Sequence, residues 1–296
     1  MYRLAQVTDP HFRSFTGATP GQFLNKRALG TLNLVVSRVR KHRMELLADL
    51  AGDLRARRVD HLAVTGDLGN VSLESEWLAA RRWIEGLAMA TAAVTVIPGN
   101  HDAYVPEVVE SQAFERLFAD YQTAELRPGP GVYPFARIRD GVALVAVNSC
   151  VPTGDFGAWG AIGADQLGRL EVLLGSPELR DLTRVVMLHH PPVLLKPPES
   201  RNLRDRAAFV ALLGRTGADL VIHGHDHLDE RATIAGPGGR TIPVVGAGSA
   251  SYAGGPEKRS RYNIYEISPG QITAVTYAHD EPSDTFKEVR RVSLGQ

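Results

Sequence analysis

Short apolar runs recur along the chain, separated by amphipathic helical patterns, and this alternation restricts the fold more than any other feature. The runs are "YRLAQVT" (2–8), "VDHLAVTG" (59–66), "AAVTVIPG" (92–99), "VALVAVN" (142–148), "TRVVMLHH" (183–190) and "ADLVIHG" (218–224). Between them, 44–58, 72–88, 110–121, 163–174 and 202–216 repeat apolar residues three and four apart, as a helix with one buried face must. Strands alternating with helices of this length predict an α/β architecture. The last third is different: "ERATIAG", "RTIPVVGAGS", "RYNIYEIS" and "QITAVTYAH" are strand patterns with little helix between them. They predict a second, more antiparallel sheet packed on the first. Residues 280–296 read as a trailing segment.

Polar residues of unusual type cluster just after these strands: Asp9 and His11, Gly66-Asp67, Gly99-Asn100-His101-Asp102, Asn148, His189-His190 and the "HGHDH" group at 223–227. In open α/β sheets, ligands bind beyond the carboxyl ends of the strands, where the loops converge. Residues i and i+2 of an extended segment face the same way, so His225 and His227 can point together at one object. Gly224 permits a tight turn between His223 and His225. Taken singly, each block also fits a turn, with Asp67 serving as a cap.

Composition narrows the chemistry. The 296 residues are 44% hydrophobic with zero formal net charge, so the core is substantial and no global field selects nucleic acid or membrane. A single cysteine, Cys150, excludes an internal disulfide framework and a thiolate zinc knuckle. The opening "MYRLAQVTDPH" lacks the basic leader and apolar core of a signal peptide, and no apolar run approaches a membrane span. A cytoplasmic protein is expected. What remains is a set of nitrogen and oxygen donors: Asp9, His11, Asp67, Asn100, His189, His225 and His227. They are too many for one tetrahedral zinc and enough for two ions. Mixed imidazole, carboxylate and amide donors suit Mn, Fe or Zn.

The blocks "DPH" (9–11), "GDLGN" (66–70), "GNHD" (99–102), "HH" (189–190) and "GHDH" (224–227), in this order, resemble the signature of the calcineurin-like metallophosphoesterase superfamily. The resemblance spans about residues 3–250. It implies a four-layer α/β/β/α sandwich with two mixed β-sheets; the absence of a long linker in the sequence predicts one domain over 1–279 with 280–296 as a tail. It also implies that Asp9, His11 and His227 hold one transition-metal ion, that Asn100, His189 and His225 hold a second, and that Asp67 is shared. His101 then approaches the substrate phosphate and Asp102 orients it. A water whose pKa the two ions lower attacks phosphorus, with His101 stabilising the oxygens or protonating the leaving group. By this correspondence His223 points to neither ion. His190 is expected to line the site as a substrate contact, and His42, His61 and His279 to be ordinary histidines.

One segment departs from the pattern. Residues 12–43 contain Arg13, Lys26, Arg27, Arg38, Arg40, Lys41 and Arg43 and no acidic residue. They read as a helical insertion: a structural hairpin, a cap whose Lys26 and Arg27 grip an anionic substrate, or a face touching anionic lipid at the inner side of a membrane. Residues 191–206 are expected to form the opposite rim. The reaction expected first is hydrolysis of a small anionic phosphodiester, of cyclic-nucleotide or glycerophosphodiester type. The alternatives are a phosphomonoesterase or pyrophosphate hydrolase acting on a nucleotide or lipid-linked head group and, more remotely, a protein-interaction scaffold. Nucleic acid is disfavoured, because no long basic track carries interleaved aromatics.

Overall fold

The computed structural model describes residues 1–23, 25–33, 41–154, 157–193 and 201–295. Arg38 and Arg40 of the basic segment, and the middle of the expected 191–206 rim, lie outside the described residues. In chain order the main elements are β1 (Tyr2–Val7), α1 (Arg27–Asn33), α2 (Glu45–Arg57), β2 (His61–Thr65), α3 (Glu74–Glu85), β3 (Val94–Ile97), α4 (Pro106–Glu110) and α5 (Ala113–Leu117). There follow β4 (Phe135–Arg139), β5 (Val142–Ala146), α6 (Ala164–Leu174), β6 (Thr183–Met187), α7 (Arg206–Thr216) and β7 (Leu220–His223). The chain ends with β8 (Glu230–Ala235), β9 (Thr241–Gly246), β10 (Arg261–Ser268), β11 (Gln271–Asp280) and β12 (Thr285–Ser293).

Two six-stranded sheets result, ordered β12-β11-β10-β1-β2-β3 and β4-β5-β6-β7-β9-β8. The runs β1-β2-β3 and β5-β6-β7-β9 are parallel; the outer strands are antiparallel, so both sheets are mixed. The central strands are apolar on both faces because both faces are covered. In β1, Tyr2 and Leu4 enter a core shared with Leu144, Met187 and Ile222 of the second sheet, whereas Ala5 and Val7 pack with Leu47, Leu50 and Trp77 of the helices. In β6, Val185 and Met187 face the shared core and Val186 packs with Leu173, Phe209 and Leu213 of α6 and α7. Helices, sheet, sheet and helices therefore stack in four layers, as the resemblance implied.

Three readings need correction. The C-terminal strands do not make a sheet of their own: β8 and β9 complete the second sheet, and β10 pairs antiparallel with β1 to extend the first. Alternation alone does not say which edge a strand will choose. Residues 285–293 are not a trailing segment but strand β12, paired along β11 from Thr285 opposite Asp280 to Ser293 opposite Thr273. Its side chains are mostly exposed, so it carries little apolar signal; backbone hydrogen bonds make it a strand. The expected 110–121 helix is shorter, Ala113–Leu117, and is set off from the earlier Pro106–Glu110 helix by Gln112, which adopts a left-handed φ of 51°.

Candidate dinuclear metal centre

The parallel strands of both sheets end at one place. Asp9 and His11 follow β1, Asp67 follows β2 and Asn100 follows β3, all from the first sheet; His189 follows β6, and His225 and His227 follow β7, from the second. Holding them there takes unusual backbone. Asp9, His11, Asp67, His225 and His227 have φ of 50°, 48°, 54°, 76° and 55°. Side-chain-bearing residues adopt this left-handed region at a cost of about 1–3 kcal/mol each, and such residues cluster at functional sites. The strand alternation read for His225 and His227 therefore does not apply, since β7 ends at His223. Gly224 is needed for close approach rather than for a turn: a Cβ there would lie 2.0 Å from Thr8 Oγ1 and 2.7 Å from Asp9 Oδ2. Likewise, a Cβ on Gly99 would lie 2.1 Å from Asp67 Oδ1.

The seven side chains form two clusters joined by one carboxylate. In the first, the donor atoms of Asp9, His11, Asp67 and His227 all lie within 4.8 Å of one another. His227 Nε2 is 3.2 Å from Asp9 Oδ1 and 3.2 Å from His11 Nε2, and His11 Nε2 is 3.8 Å from Asp67 Oδ2. In the second, Asn100 Oδ1 is 2.9 Å from His225 Nδ1 and 3.2 Å from His189 Nε2, and His189 Nε2 is 3.4 Å from Asp67 Oδ1. One Asp67 oxygen thus faces each cluster.

These residues fit a pair of cations. Donors placed about 2.0–2.2 Å from a shared ion lie about 3.0–3.5 Å from one another, and the contacts here, from 2.9 to 3.8 Å, bracket that spacing. The tautomers agree. His11 Nδ1 donates to the Gly69 carbonyl (3.1 Å) and His189 Nδ1 to the Thr65 carbonyl (2.8 Å), so each ring, when neutral, turns its Nε2 lone pair toward the cluster. Asp9 Oδ2 accepts from Thr8 Oγ1 and the His225 amide, while buried Asp9 Oδ1 has no hydrogen-bond donor among the described residues. Lone pairs crowded around buried carboxylate oxygens call for positive charge at their centre. Protonation responds to the same need. Burial would lower the His189 pKa, but the Asp67 carboxylate overcomes it and raises it to about 9. Burial would raise the Asp67 carboxyl, but His189, His101 and His11 hold it well below the usual carboxylate range.

Around this centre, His101 is partly exposed; its Nδ1 donates to the Asn70 carbonyl (2.5 Å) and its ring stacks on Tyr104 at 5.6 Å and 13°. Its orientation was expected from Asp102. The Asp102 carboxylate instead accepts from the amides of Leu68, Gly69 and Gly99 and from the Trp77 indole, at 2.9–3.0 Å. It ties the loop carrying Asp67 to the loop carrying Asn100. His190 is fully buried, with Nε2 donating to the Ala158 carbonyl and Nδ1 accepting from the Ser149 hydroxyl, and it packs 4.6 Å from His225. Both nitrogens are engaged, so it buttresses His225 rather than contacting substrate. Arg27 is also buried; its guanidinium donates to the carbonyls of Val71 and Ser72, anchoring α1 rather than gripping an anion. Lys26 reaches the rim: its Nζ lies 4.4 Å over Tyr104 and donates to Thr153. His223 donates to the Gly224 carbonyl, and Asn148 makes a local turn to the Cys150 amide.

Reading the strand ends missed His42. It is 3% exposed, and its ring stands edge-on to His11 at 4.7 Å and to His227 at 5.5 Å. It follows no strand, and the sequence alone gives it as an ordinary histidine. His61, by contrast, is a core histidine bonded to Thr95.

The sequence matches the calcineurin-like phosphoesterase family over residues 2–229. It is 30% identical over 200 residues to a cAMP/cGMP dual specificity phosphodiesterase of Mycobacterium tuberculosis, covering 66% of this chain and 55% of that protein. It is 24% identical to a 3',5'-cyclic adenosine monophosphate phosphodiesterase of Vibrio vulnificus, over 99% of this chain and 91% of that one. The fold is similar to that of a dimetal phosphatase from Danio rerio, with a TM-score of 0.64 at 12% identity, covering 99% of this chain and 98% of the other. With the match running from the first strand to just past the last histidine block, the chain belongs to the calcineurin-like phosphoesterase family.

Proposed function

We propose that the protein hydrolyses a small anionic phosphodiester of the cyclic-nucleotide class, using two transition-metal ions held by Asp9, His11, His227 and by Asn100, His189, His225, with Asp67 between them. The observation that carries this reading is the Asp67 carboxylate, whose two oxygens face two separate donor clusters. When bound, such a pair of ions lowers the pKa of a shared water and offsets charge on the phosphoryl oxygens. Imidazole-rich donors without thiolate favour Mn, Fe or Zn.

The chain's own groups do the rest. Asp9, His11, Asp67, His189 and His225 are almost fully buried, so they hold charge in a dry setting where electrostatic contacts are strong. His101 and His227 are the partly exposed members, which puts the substrate's entry on their side. The Asn70 carbonyl fixes the His101 Nδ1 proton, and a protonated Nε2 would donate to a phosphoryl or leaving-group oxygen. Tyr104 and Lys26 form the rim next to His101. The phosphodiesterases to which the chain is similar support the diester assignment.

The test compares bis(p-nitrophenyl) phosphate, p-nitrophenyl phosphate and 3',5'-cyclic AMP after loading with Mn, Fe or Zn. Higher kcat/KM on the diesters is expected. A reproducible monoester preference under the same loading overturns the assignment in favour of a phosphatase.

A further inference from the structure

The 12–43 segment brings the His42 imidazole beside the candidate ligands His11 and His227. Residues 41–43 pair with the loop after β9: the Arg43 amide donates to the Ser251 carbonyl (2.9 Å), the Ala253 amide to the Lys41 carbonyl (2.7 Å), and His42 bridges antiparallel to Tyr252. That loop is itself fastened beneath the β1 end, through Ser249 Oγ to the Asp9 carbonyl (2.7 Å) and the Ala250 amide to the Thr8 carbonyl (2.9 Å). The backbone at 42 is therefore registered against the strand end that presents Asp9 and His11. The ring is fixed as well, by Ser251 Oγ at 2.8 Å from Nδ1 and by the edge of Tyr252 at 5.5 Å.

From this position a ring nitrogen of His42, one of His11 and one of His227 all lie within 4.8 Å of one another. The second group of close donors, Asp9, His11, Asp67 and His227, shares the same imidazole pair. None of the five sequence blocks contains residue 42. A histidine serving only as filler gains nothing from two such neighbours, since a polar ring needs partners that its position supplies at a cost in ordering. A ring held by backbone pairing, hydroxyl and aromatic edge against two candidate ligands is preorganised for an ion.

We propose that His42 is a third imidazole donor to the Asp9–His11–Asp67–His227 metal position, supplied by the inserted segment rather than by a strand end. This rests on the two-ion reading above. It makes the two positions unequal: three imidazoles beside carboxylate at one, two imidazoles and an amide at the other. Added imidazole shifts the first position toward Zn, Fe or Co over Mn and Mg.

Metal binding tests this without turnover. Chelator-stripped protein is titrated with Zn²⁺ and with Co²⁺ alone, following stoichiometry, affinity and the visible Co²⁺ absorption. In His42→Ala, one of two ions is expected to bind at least about tenfold more weakly, the loss known for disturbing even the outer partners of ligands. The absorption of that site changes while the other is kept. His42→Gln preserves bulk and a hydrogen-bonding group toward Ser251, so the same selective loss there, with the metal-free unfolding temperature unchanged, separates ligation from folding. Ser251→Ala leaves the imidazole but loosens it, and a smaller loss of affinity at the same site is expected. Two ions bound with unchanged affinity and identical Co²⁺ spectra in both His42 variants overturn the proposal and leave the two-ion centre standing. Failure of the parent protein to take up two ions overturns the two-ion reading itself, and this proposal with it.

Discussion

Asp67 shows how much one side chain carries. Its two oxygens face the two clusters, and Oδ1 also accepts the His101 amide at 2.8 Å. Asp67→Asn keeps the shape and removes the charge between the ions, so both ions should be lost together. Elemental analysis showing full occupancy in that variant would remove the bridging role. The His101 ring is fixed by the Asn70 carbonyl and stands edge-on to the His11 ring at 5.2 Å. His101→Ala should lower kcat by roughly 10²–10⁴-fold, the usual range for positioned proton transfer. Metal content should hardly change; loss of metal in step with activity would make His101 a ligand. The donors were legible because Asp, Asn and His directly after apolar strands conflict with burial unless something binds them. His42 was not, because tertiary pairing with Tyr252 brings it in and nothing local marks it. Arg27 misled for the converse reason: its charge suggests an anion, yet buried carbonyls satisfy it.

The loop from Gly66 to Leu73 holds Asp67, and two buried carboxylates hold the loop. Asp102 takes the Leu68 and Gly69 amides; Glu76, at the start of α3, takes those of Val71 and Leu73, both at 3.1 Å. Glu76 reaches back to Leu73 as an N-terminal helix residue does in a capping box. It is fully buried, and burial raises its pKa from 4.5 to about 7, against the pull of the amides. The sign follows. From about pH 4.5 to 7 the unfolded chain has released this proton while the folded chain retains it, so stability falls as pH rises through that window and is level above it. Each pKa unit corresponds to about 1.4 kcal/mol. Glu76→Gln should remove this slope, seen as a difference between urea midpoints of the two proteins at pH 5, 6, 7 and 8. Parallel midpoints across the range would show that Glu76 does not hold its proton in the fold. Periodicity reveals that α3 exists and which face it buries. It does not show that a glutamate on the buried side belongs there, since that depends on amides of a loop with no regular pattern.

At the scale of the molecule, the arrangement to explain is two sheets that share a core and a site. The sequence made the parallel strands readable, because each is apolar on both faces and punctuated by ligand-type residues. It misplaced the C-terminal strands, because hydrogen-bonding edges rather than side chains decide where β8 to β12 go. The candidate ligands divide along the same line: Asp9, His11, Asp67 and Asn100 end strands of the first sheet, and His189, His225 and His227 those of the second. Each proposed ion therefore takes donors from both sheets and links them at one end of the sandwich. Binding confined to the folded state adds RT ln(1 + [L]/Kd), about 2.7 kcal/mol at one hundred times Kd. For a domain of this size, that is a rise of several degrees in unfolding temperature. Unfolding temperature should thus climb with added Zn or Mn, fall on chelation, and lose this dependence in Asp67→Asn. A local site on one sheet would raise the melting of its own loops without shifting global unfolding. Near- and far-ultraviolet circular dichroism should therefore move together on metal addition, and a shift in only the near-ultraviolet signal would mean that the ions do not join the sheets.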